Sequence, residues 1–249
     1  MSRYFHWWLM INENFLLGFP DKYKDICKIY PPTVNEVIGL DDFEVYRASL
    51  TLSQEEIDDA YVYDNVDYIP TPFEYLLITY HQEWDIREQI LDGFEFFLKE
   101  PVSILPELEI ILIGKAEEDI DPDVDFENPR VLDKTNYFDF QNIVRQSLGM
   151  EKVEKPILDE DPRIKRIKRL GRMRERVKAK RQKQTLGGLL SAICCMGIGL
   201  NPLNIGEISY ASVGYWIETY QNKEAYDIDI RCLLAGADSK KVKPKYWIK

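Results

Sequence analysis

Histidine is scarce in this sequence, and its cysteines show no paired spacing. Only His6 and His81 supply an imidazole, and neither belongs to an HExxH or HxE pattern. The four cysteines are Cys27, Cys194, Cys195 and Cys232. None of them has the CxxC spacing that is typical of zinc and redox sites. We therefore predict reduced thiols in a cytosolic protein, and we expect neither a transition-metal site nor a cofactor.

The motifs of several common enzyme classes are also missing. The sequence has no GKS or GKT phosphate-binding loop and no GxSxG nucleophile elbow. Gly197 and Gly199 form only half of a dinucleotide-binding fingerprint, and no third glycine follows at the required place. Acidic residues are so numerous that no single pair indicates general acid–base chemistry. We predict a non-enzymatic protein and name no catalytic residue.

Long apolar runs are absent as well. The most apolar stretch, residues 186–200, is glycine-rich and shorter than the roughly 18–20 residues that span a bilayer. This favours a buried helix or loop. The aromatic N-terminus is interrupted by polar residues 12–14 and has no small-residue cleavage site, so no secretion signal is expected.

Three serine or threonine residues are each followed by glutamate three positions later, and each pair predicts a helix start. The pairs are Thr33 with Glu36, Ser53 with Glu56 and Thr71 with Glu74. In such a capping box, the hydroxyl and the carboxylate bond to backbone N–H groups that the first helical turn leaves unpaired. Apolar residues then recur every three or four positions through residues 73–97, as expected for one face of a helix. The first part of the chain is therefore predicted to be largely helical.

A small β element is predicted inside this helical part, at about residues 94–132. Residues 102–105 and 108–113 form short β-branched or Leu-rich runs, and residues 130–132 form another after an acidic loop. A following helix is predicted to begin after Asn136 as its cap. The expected fold class is mainly α with a small inserted β element, comprising an α+β N-terminal domain and an all-α C-terminal part.

Residues 117–127 hold seven acids. Aspartates at every second position resemble a calcium loop, but the glycine at its sixth position and the glutamate at its twelfth are missing. We predict a solvated acidic loop.

Gly149 is predicted to end the helix that follows Asn136.

A basic segment interrupts the chain, whose formal net charge is −11. Residues 163–183 contain twelve basic residues and one acid. Apolar residues recur within it at Ile164, Ile167, Leu170, Met173 and Val177. The pattern predicts a basic amphipathic helix, or a segment that becomes one on a partner. It forms a hinge, residues 156–185, between an acidic domain of residues 1–155 and a small helical domain of residues 186–249.

Three kinds of surface attract a basic amphipathic helix: acidic protein, nucleic acid and anionic lipid. The remainder of the chain carries forty-two acids and twenty bases and would repel phosphates. The segment also lacks the aromatic residues that bury at a membrane interface. Docking on acidic protein, of this chain or of a partner, or a role as a solvated linker is favoured. The candidate contact residues are Lys165, Arg166, Lys168, Arg169, Arg172 and Arg174.

The C-terminal part contains two helical patterns and several aromatic candidates for partner contact. The first pattern begins at Ser209, and the second runs from Ile228 to a C-cap at Gly236. The aromatic candidates are Tyr215, Trp216, Tyr220, Tyr226, Tyr246 and Trp247. Because such side chains are more often core or anchoring residues, we expect only two or three of them to be exposed.

Several stretches together resemble proteins encoded in tail-morphogenesis regions of phages and prophages of Gram-positive bacteria. They include DKYKDICKIYPPTVNEVI, TPFEYLLITYHQE, FEFFLKEPVSIL, TNYFDFQNIVRQSLG, the DEDPRIKRIKRLGRMRERVKAK hinge and the C-terminal run from ICCMGIGLNPLNIGE. The similarity spans nearly the whole chain and lies in helical patterns. An N-terminal domain, a charged linker and a smaller C-terminal domain resemble the extended form of the phage tail assembly chaperone family.

The resemblance implies a non-enzymatic role in the cytoplasm of the bacterial host during virion assembly. Members of the family are thought to coat the tape-measure protein and to recruit tail-tube subunits, so these two proteins are the expected partners. Self-association is also possible, and no membrane partner is expected. Two alternatives remain: a structural tail or connector component retained in the virion, and a nucleic-acid-binding accessory protein.

Overall fold

The computed structural model describes residues 12–61, 68–120, 129–155, 162–181 and 185–246. Within the helix at 162–181, it does not describe the side chains of Pro162, Lys165, Arg166 and residues 175–181. Helices dominate the described residues, and the strands form one two-stranded and one three-stranded sheet. The predicted class, mainly α with small β elements, is confirmed.

The α-helices and strands are numbered in chain order. The helices are α1 (Glu13–Leu16), α2 (Val34–Ile38), α3 (Phe43–Thr51), α4 (Gln54–Ala60), α5 (Pro72–Gln82), α6 (Trp84–Leu98), α7 (Tyr137–Ser147), α8 (Pro162–Arg181), α9 (Leu186–Cys195) and α10 (Tyr210–Leu234). The strands are β1 (Asp21–Tyr23), β2 (Cys27–Ile29), β3 (Val102–Leu105), β4 (Ile110–Ile113) and β5 (Val131–Leu132). Short 3-10 turns occupy Pro106–Leu108, Glu117–Asp119 and Ile205–Glu207.

All three predicted capping boxes are present, at the starts of α2, α4 and α5. In each, the capping hydroxyl accepts from the backbone N–H of the glutamate three residues later, and the glutamate accepts from the N–H of the capping residue. Pro72 occupies the first turn of α5, where its missing N–H removes no helical hydrogen bond. These helix starts follow from local sequence.

The strands differ from the prediction in two respects. Helix α6 runs through Leu98, so the predicted β boundary at about residue 94 was too early. The antiparallel sheet β3–β4–β5 then pairs Val102 with Ile113 and Leu112 with Val131. An unpredicted hairpin pairs β1 with β2 antiparallel. Each of its strands has only three residues, too few for an alternating pattern to stand out.

Helix α7 begins where the sequence predicts, but Asn136 does not cap it with its side chain. Instead, Asn136 Oδ1 accepts from the Asp133 N–H at 3.0 Å, and Nδ2 donates to the Val131 carbonyl at 3.1 Å. The amide side chain therefore holds the turn after β5. The predicted stop is confirmed, because Gly149 follows the helix at φ +69°.

The main core lies where α3, α5, α6 and α7 meet the two small sheets. Aromatic side chains fill it, and the rings of Phe94 and Phe140 stack with centroids 6.0 Å apart. Tyr137, Phe97 and Phe15 are also almost completely buried there. Aromatic pairs of this kind add stabilisation beyond the area that they bury.

A second, smaller core joins the C-terminal part to the N-terminal part. Its buried members are Val34, Leu190, Ile193, Ile205 and Val213, of which only Val34 comes from the N-terminal part. A strand-like bridge pairs Thr33 with Ser209, and the Val34 N–H donates to the Ile208 carbonyl at 3.0 Å. The predicted domains 1–155 and 186–249 therefore share both a backbone bridge and a core.

Helix α10 is one continuous helix of 25 residues, although the sequence indicated two successive patterns. No proline occurs within it and no glycine follows Gly214 before its end, so nothing in the backbone interrupts it. Gly236 follows the helix at φ +95°, as predicted for its stop. In the part of the chain that the structure describes, no helix combines the length and hydrophobicity required to cross a membrane.

Candidate functional site

The predicted basic segment forms α8, a helix of 20 residues. Four of the five apolar side chains that recur along it are exposed to solvent over 46–69% of their surface, and the side chain of Val177 is among those not described. These four residues, which we call the α8 stripe, are Ile164, Ile167, Leu170 and Met173. Exposed apolar residues in a regular row are unusual on the surface of a monomeric protein and indicate a surface for contact.

One basic residue of α8 docks on the acidic helix α4. The guanidinium of Arg172 places Nη1 3.0 Å from Glu55 Oε1, and Nη2 donates to Asp59 Oδ1 at 3.0 Å. The two carboxylates are one helical turn apart, so a single guanidinium spans both. The side chain of Asp59 is only 12% exposed, which limits screening by water.

The electrostatic setting of Arg172 is favourable. Burial acts to lower the pKa of Arg172, but the hydrogen bond to Asp59 and the charges of Glu55 and Asp59 outweigh burial and raise it. Helix α4 carries four acids in seven residues, so it forms a negatively charged surface. Arg172 therefore docks on the acidic surface of its own chain.

The other basic candidates on α8 differ in exposure. Lys168 and Arg174 are exposed, and Arg169 is half-buried. Lys165 and Arg166 lie on the described helix, but their side chains are among those not described. That these residues bind a partner stays a prediction.

The aromatic candidates of α10 occur in two neighbouring groups. The rings of Tyr215 and Trp216 meet edge to face with centroids 6.0 Å apart, and Trp216 is exposed. Tyr220 is half-buried, and a hydrogen bond to the Glu224 carboxylate raises the pKa of its hydroxyl. None of these three rings is fully buried, so all of them have surface available for contact.

The second group anchors the C-terminal tail. Tyr226 on α10 is half-buried, and its ring meets that of Tyr246 edge to face at 5.7 Å. The tail therefore folds back along α10. Tyr246 itself remains exposed, and Trp247 lies outside the described residues. Partner binding by either group stays a prediction.

Helix α10 as a whole is tethered at one end. Only Ala211, Ser212 and Val213 in its first turn are buried, and the helix is about 37 Å long at 1.5 Å per residue. Beyond this turn, large apolar side chains are exposed to solvent. The most exposed of these, which we call the α10 surface, are Trp216, Ile228 and Leu234.

Two features of this region were missed by sequence reasoning. The first is that Arg172 docks on α4. Helix α4 carries a run of four acids, but this run indicates a docking surface only once the structure is known. The second is the position of Val34 in the C-terminal core, for which the local sequence carries no signal. Both depend on contacts between residues far apart in the chain.

Metal binding has no candidate in the described ranges, where no three histidine, cysteine or acidic side chains cluster in a way that would hold an ion. The predicted acidic loop at 117–127 is described only as far as residue 120, so most of it lies outside these ranges. The described part, Glu117–Asp119, is a single 3-10 turn.

The architecture defines a mainly α-helical protein that displays one basic amphipathic helix and one long, end-tethered helix. Residues 178–249 match the family model described as the YomV second domain, a phage-associated protein family. The match begins within the last turns of α8 and covers α9 and α10, which is less than a third of the chain. Comparison with curated proteins and with solved structures found no match.

Proposed function

We propose that this chain is a non-enzymatic phage tail assembly chaperone that binds the tape-measure protein and helps to recruit tail-tube subunits. Two similarities of sequence support this role. The C-terminal residues 178–249 match a phage-associated family, and stretches throughout the chain resemble tail-morphogenesis proteins. On this proposal, the protein acts in the cytoplasm of the bacterial host.

The observation that carries the proposal is the exposure of apolar side chains along α10. A chaperone for a long helical protein needs apolar side chains on a rigid element, so that the apolar stripe of its cargo is covered until assembly. Helix α10 meets this requirement, because it is held at its first turn and displays Trp216, Ile228 and Leu234 beyond it. Large exposed aromatic side chains often contribute most of the binding free energy at an interface.

The proposal is tested by co-expressing the chain with a phage tape-measure protein and a tail-tube protein, followed by affinity capture and mass spectrometry. We expect the chain to capture the tape measure, and we expect the chain itself to be absent from finished particles. Stoichiometric presence in particles would instead make it a structural component. Recovery of nucleic acid without either protein would also contradict the chaperone role.

A pair of tryptophan variants assigns the contact to α10. Trp216→Ala is expected to weaken tape-measure capture by about tenfold or more, because an exposed tryptophan is a typical interface anchor. Trp84→Ala is the matched control, since Trp84 is also exposed but lies on α6. Equal capture by both variants would remove α10 from the proposal.

A further inference from the structure

The α8 stripe is a second exposed apolar row, separate from the α10 surface. Its four residues recur every third position, from Ile164 to Met173. The row is about 14 Å long at 1.5 Å per residue. At about 100° per residue the row winds around the helix, so Ile167 and Leu170 form its middle and Ile164 and Met173 lie on its two flanks.

The contact between Arg172 and α4 determines which face of α8 points outward. At about 100° per residue, Arg172 lies about 160° around the helix from Leu170 and about 140° from Ile167. Arg172 points at α4, where it meets Glu55 and Asp59. The middle of the α8 stripe consequently faces away from the body of the protein.

Positive charge borders the stripe at both ends. Arg163 precedes Ile167 by four residues, and Arg174 follows Leu170 by four, so each lies on the same face as the stripe. Both arginines are exposed. The face is thus apolar in the middle and carries the exposed Arg174 beside it, on a segment whose net charge is strongly positive.

We propose that this face binds an acidic amphipathic helix of a partner protein, one whose apolar stripe is bordered by aspartate or glutamate. Charge complementarity selects this occupant, because the apolar centre favours an apolar contact, and Arg174 together with the strongly positive charge of the segment favours carboxylates. The Arg172 contact with α4 provides an internal precedent, since two carboxylates one turn apart on a helix accept one guanidinium of α8. On the proposed function, which this inference extends, the partner helix belongs to the tape-measure protein.

Other occupants fit the face less well. Phosphates of a nucleic acid would pair with the arginines but would leave the four apolar side chains of the stripe without an apolar contact. A membrane-bound amphipathic helix usually carries aromatic residues at the interface, and α8 has none. A second copy of this chain would offer α4 as its acidic helix, but Arg172 already occupies α4.

The test uses the full chain and a fluorescently labelled synthetic helix with leucine at the a and d positions and glutamate at the e and g positions. Two control peptides replace either glutamate with lysine or leucine with serine. Fluorescence anisotropy is expected to give binding to the first peptide that is at least about tenfold tighter than to either control. Equal binding of the serine peptide would show that charge alone is recognised and would overturn the proposal.

Variants of the chain locate the binding face. Ile167→Ala with Leu170→Ala is expected to weaken peptide binding by at least about tenfold. Leu203→Ala, which removes an exposed leucine elsewhere, is the control and is expected to bind like the unchanged chain. Displacement of the peptide by duplex DNA or by anionic vesicles, or a change in oligomeric state in the double variant, would assign the face to another occupant.

The inference and the proposed function fail in different ways. If the chain captures the tape measure but does not bind the acidic peptide, only the inference is wrong. If it binds the acidic peptide in the expected order but does not capture the tape measure, the partner chemistry stands and the chaperone role fails.

Discussion

Arg172 on α8 and Asp59 on α4 form an ion pair between segments that are distant in sequence, with Nη2 donating to Oδ1 at 3.0 Å. The pair attaches the basic helix to the acidic part of the same chain. One consequence is that part of the positive charge of α8 is neutralised internally. The other is that the opposite face of α8 is turned toward solvent.

Removing this pair is expected to loosen α8 without unfolding the protein. Arg172→Ala should lower the free energy of unfolding by about 1 kcal/mol, because the pair is partly shielded from water. The stabilisation that the pair provides is limited, because Arg172 Nε is buried without a hydrogen-bond partner. Amide hydrogen exchange in α8 should accelerate markedly, and urea unfolding measures the change in stability.

Arg174→Ala is the matched control, because it removes the same charge from an exposed position on the same helix. It should leave exchange in α8 nearly unchanged. Asp59→Asn should reproduce the effect of Arg172→Ala, and the double variant should add little to either single change. Similar exchange in Arg172→Ala and Arg174→Ala would mean that the pair does not hold the helix.

Gly149 and Gly197 have nearly the same backbone conformation, with φ +69° and +70°, but different surroundings. A Cβ at Gly149 would lie 3.0 Å from the Ala211 carbonyl oxygen and 3.2 Å from its Cα. Around a Cβ at Gly197, by contrast, no described residue other than its chain neighbours comes within 4 Å. Alanine at either position incurs the cost of a left-handed backbone, about 1 kcal/mol. Only alanine at Gly149 also presses against the first turn of α10.

Gly197→Ala should therefore lower the free energy of unfolding by about 1 kcal/mol, and Gly149→Ala by about a further 1–2 kcal/mol. Urea unfolding of the two variants measures the difference, and hydrogen exchange at Ala211 locates it. Equal destabilisation by the two changes would show that the first turn of α10 can shift to accommodate a Cβ at Gly149 with little loss of stability.

Glu36 joins the cap of α2 to α6. Its Oε2 accepts from the Thr33 N–H at 2.8 Å, and its Oε1 accepts from Lys99 Nζ at 3.0 Å. Burial acts to raise the pKa of Glu36, but these hydrogen bonds outweigh burial and hold the pKa below its ordinary value of 4.5. A carboxyl group with a lowered folded-state pKa stabilises the fold above pH 4.5, and this stability is lost as pH falls through the folded-state pKa.

Glu36→Gln is thus expected to lower the free energy of unfolding by about 1 kcal/mol at neutral pH and to have a smaller effect in acid. Urea unfolding at a series of pH values from neutral downward measures both effects. Glu88→Gln, at an exposed position of α6, should give a curve close to that of the unchanged chain. A constant difference between Glu36→Gln and the unchanged chain at every pH would contradict the role of the charge.

The parts of the fold that were predictable from sequence depend on local chemistry. Thr33 with Glu36 predicts a helix start because the bonds form within four residues, and Gly149 predicts a stop because of its own backbone freedom. The pairing of Thr33 with Ser209 and the docking of Arg172 join residues far apart. Their partners are selected by the packing of the whole chain, which no local pattern records. The sequence accordingly predicts that the basic segment is a helix, but it carries no information on which of its basic residues meets α4.

The cysteines are expected to divide into classes of very different reactivity toward a thiol reagent. Cys195 and Cys232 are exposed, whereas Cys27 on β2 is buried in the main core. Burial raises the pKa of the Cys27 thiol to about 12, because the thiolate loses its hydration there. The thiolate is the reactive species. Cys27 is therefore protected because the reagent cannot reach it and because its thiol stays protonated.

At mildly alkaline pH, Cys232 should react within the mixing time of a disulfide reagent, and Cys27 should react only as fast as the native protein opens. Cys232→Ala should remove one rapidly reacting thiol and leave the slow phase unchanged, whereas Cys27→Ala should abolish the slow phase. In denaturant all four thiols should react rapidly. Rapid reaction of Cys27 in the folded chain would contradict the placement of β2 in the core, since a thiol held beneath α6 and α7 has no path to the reagent without opening.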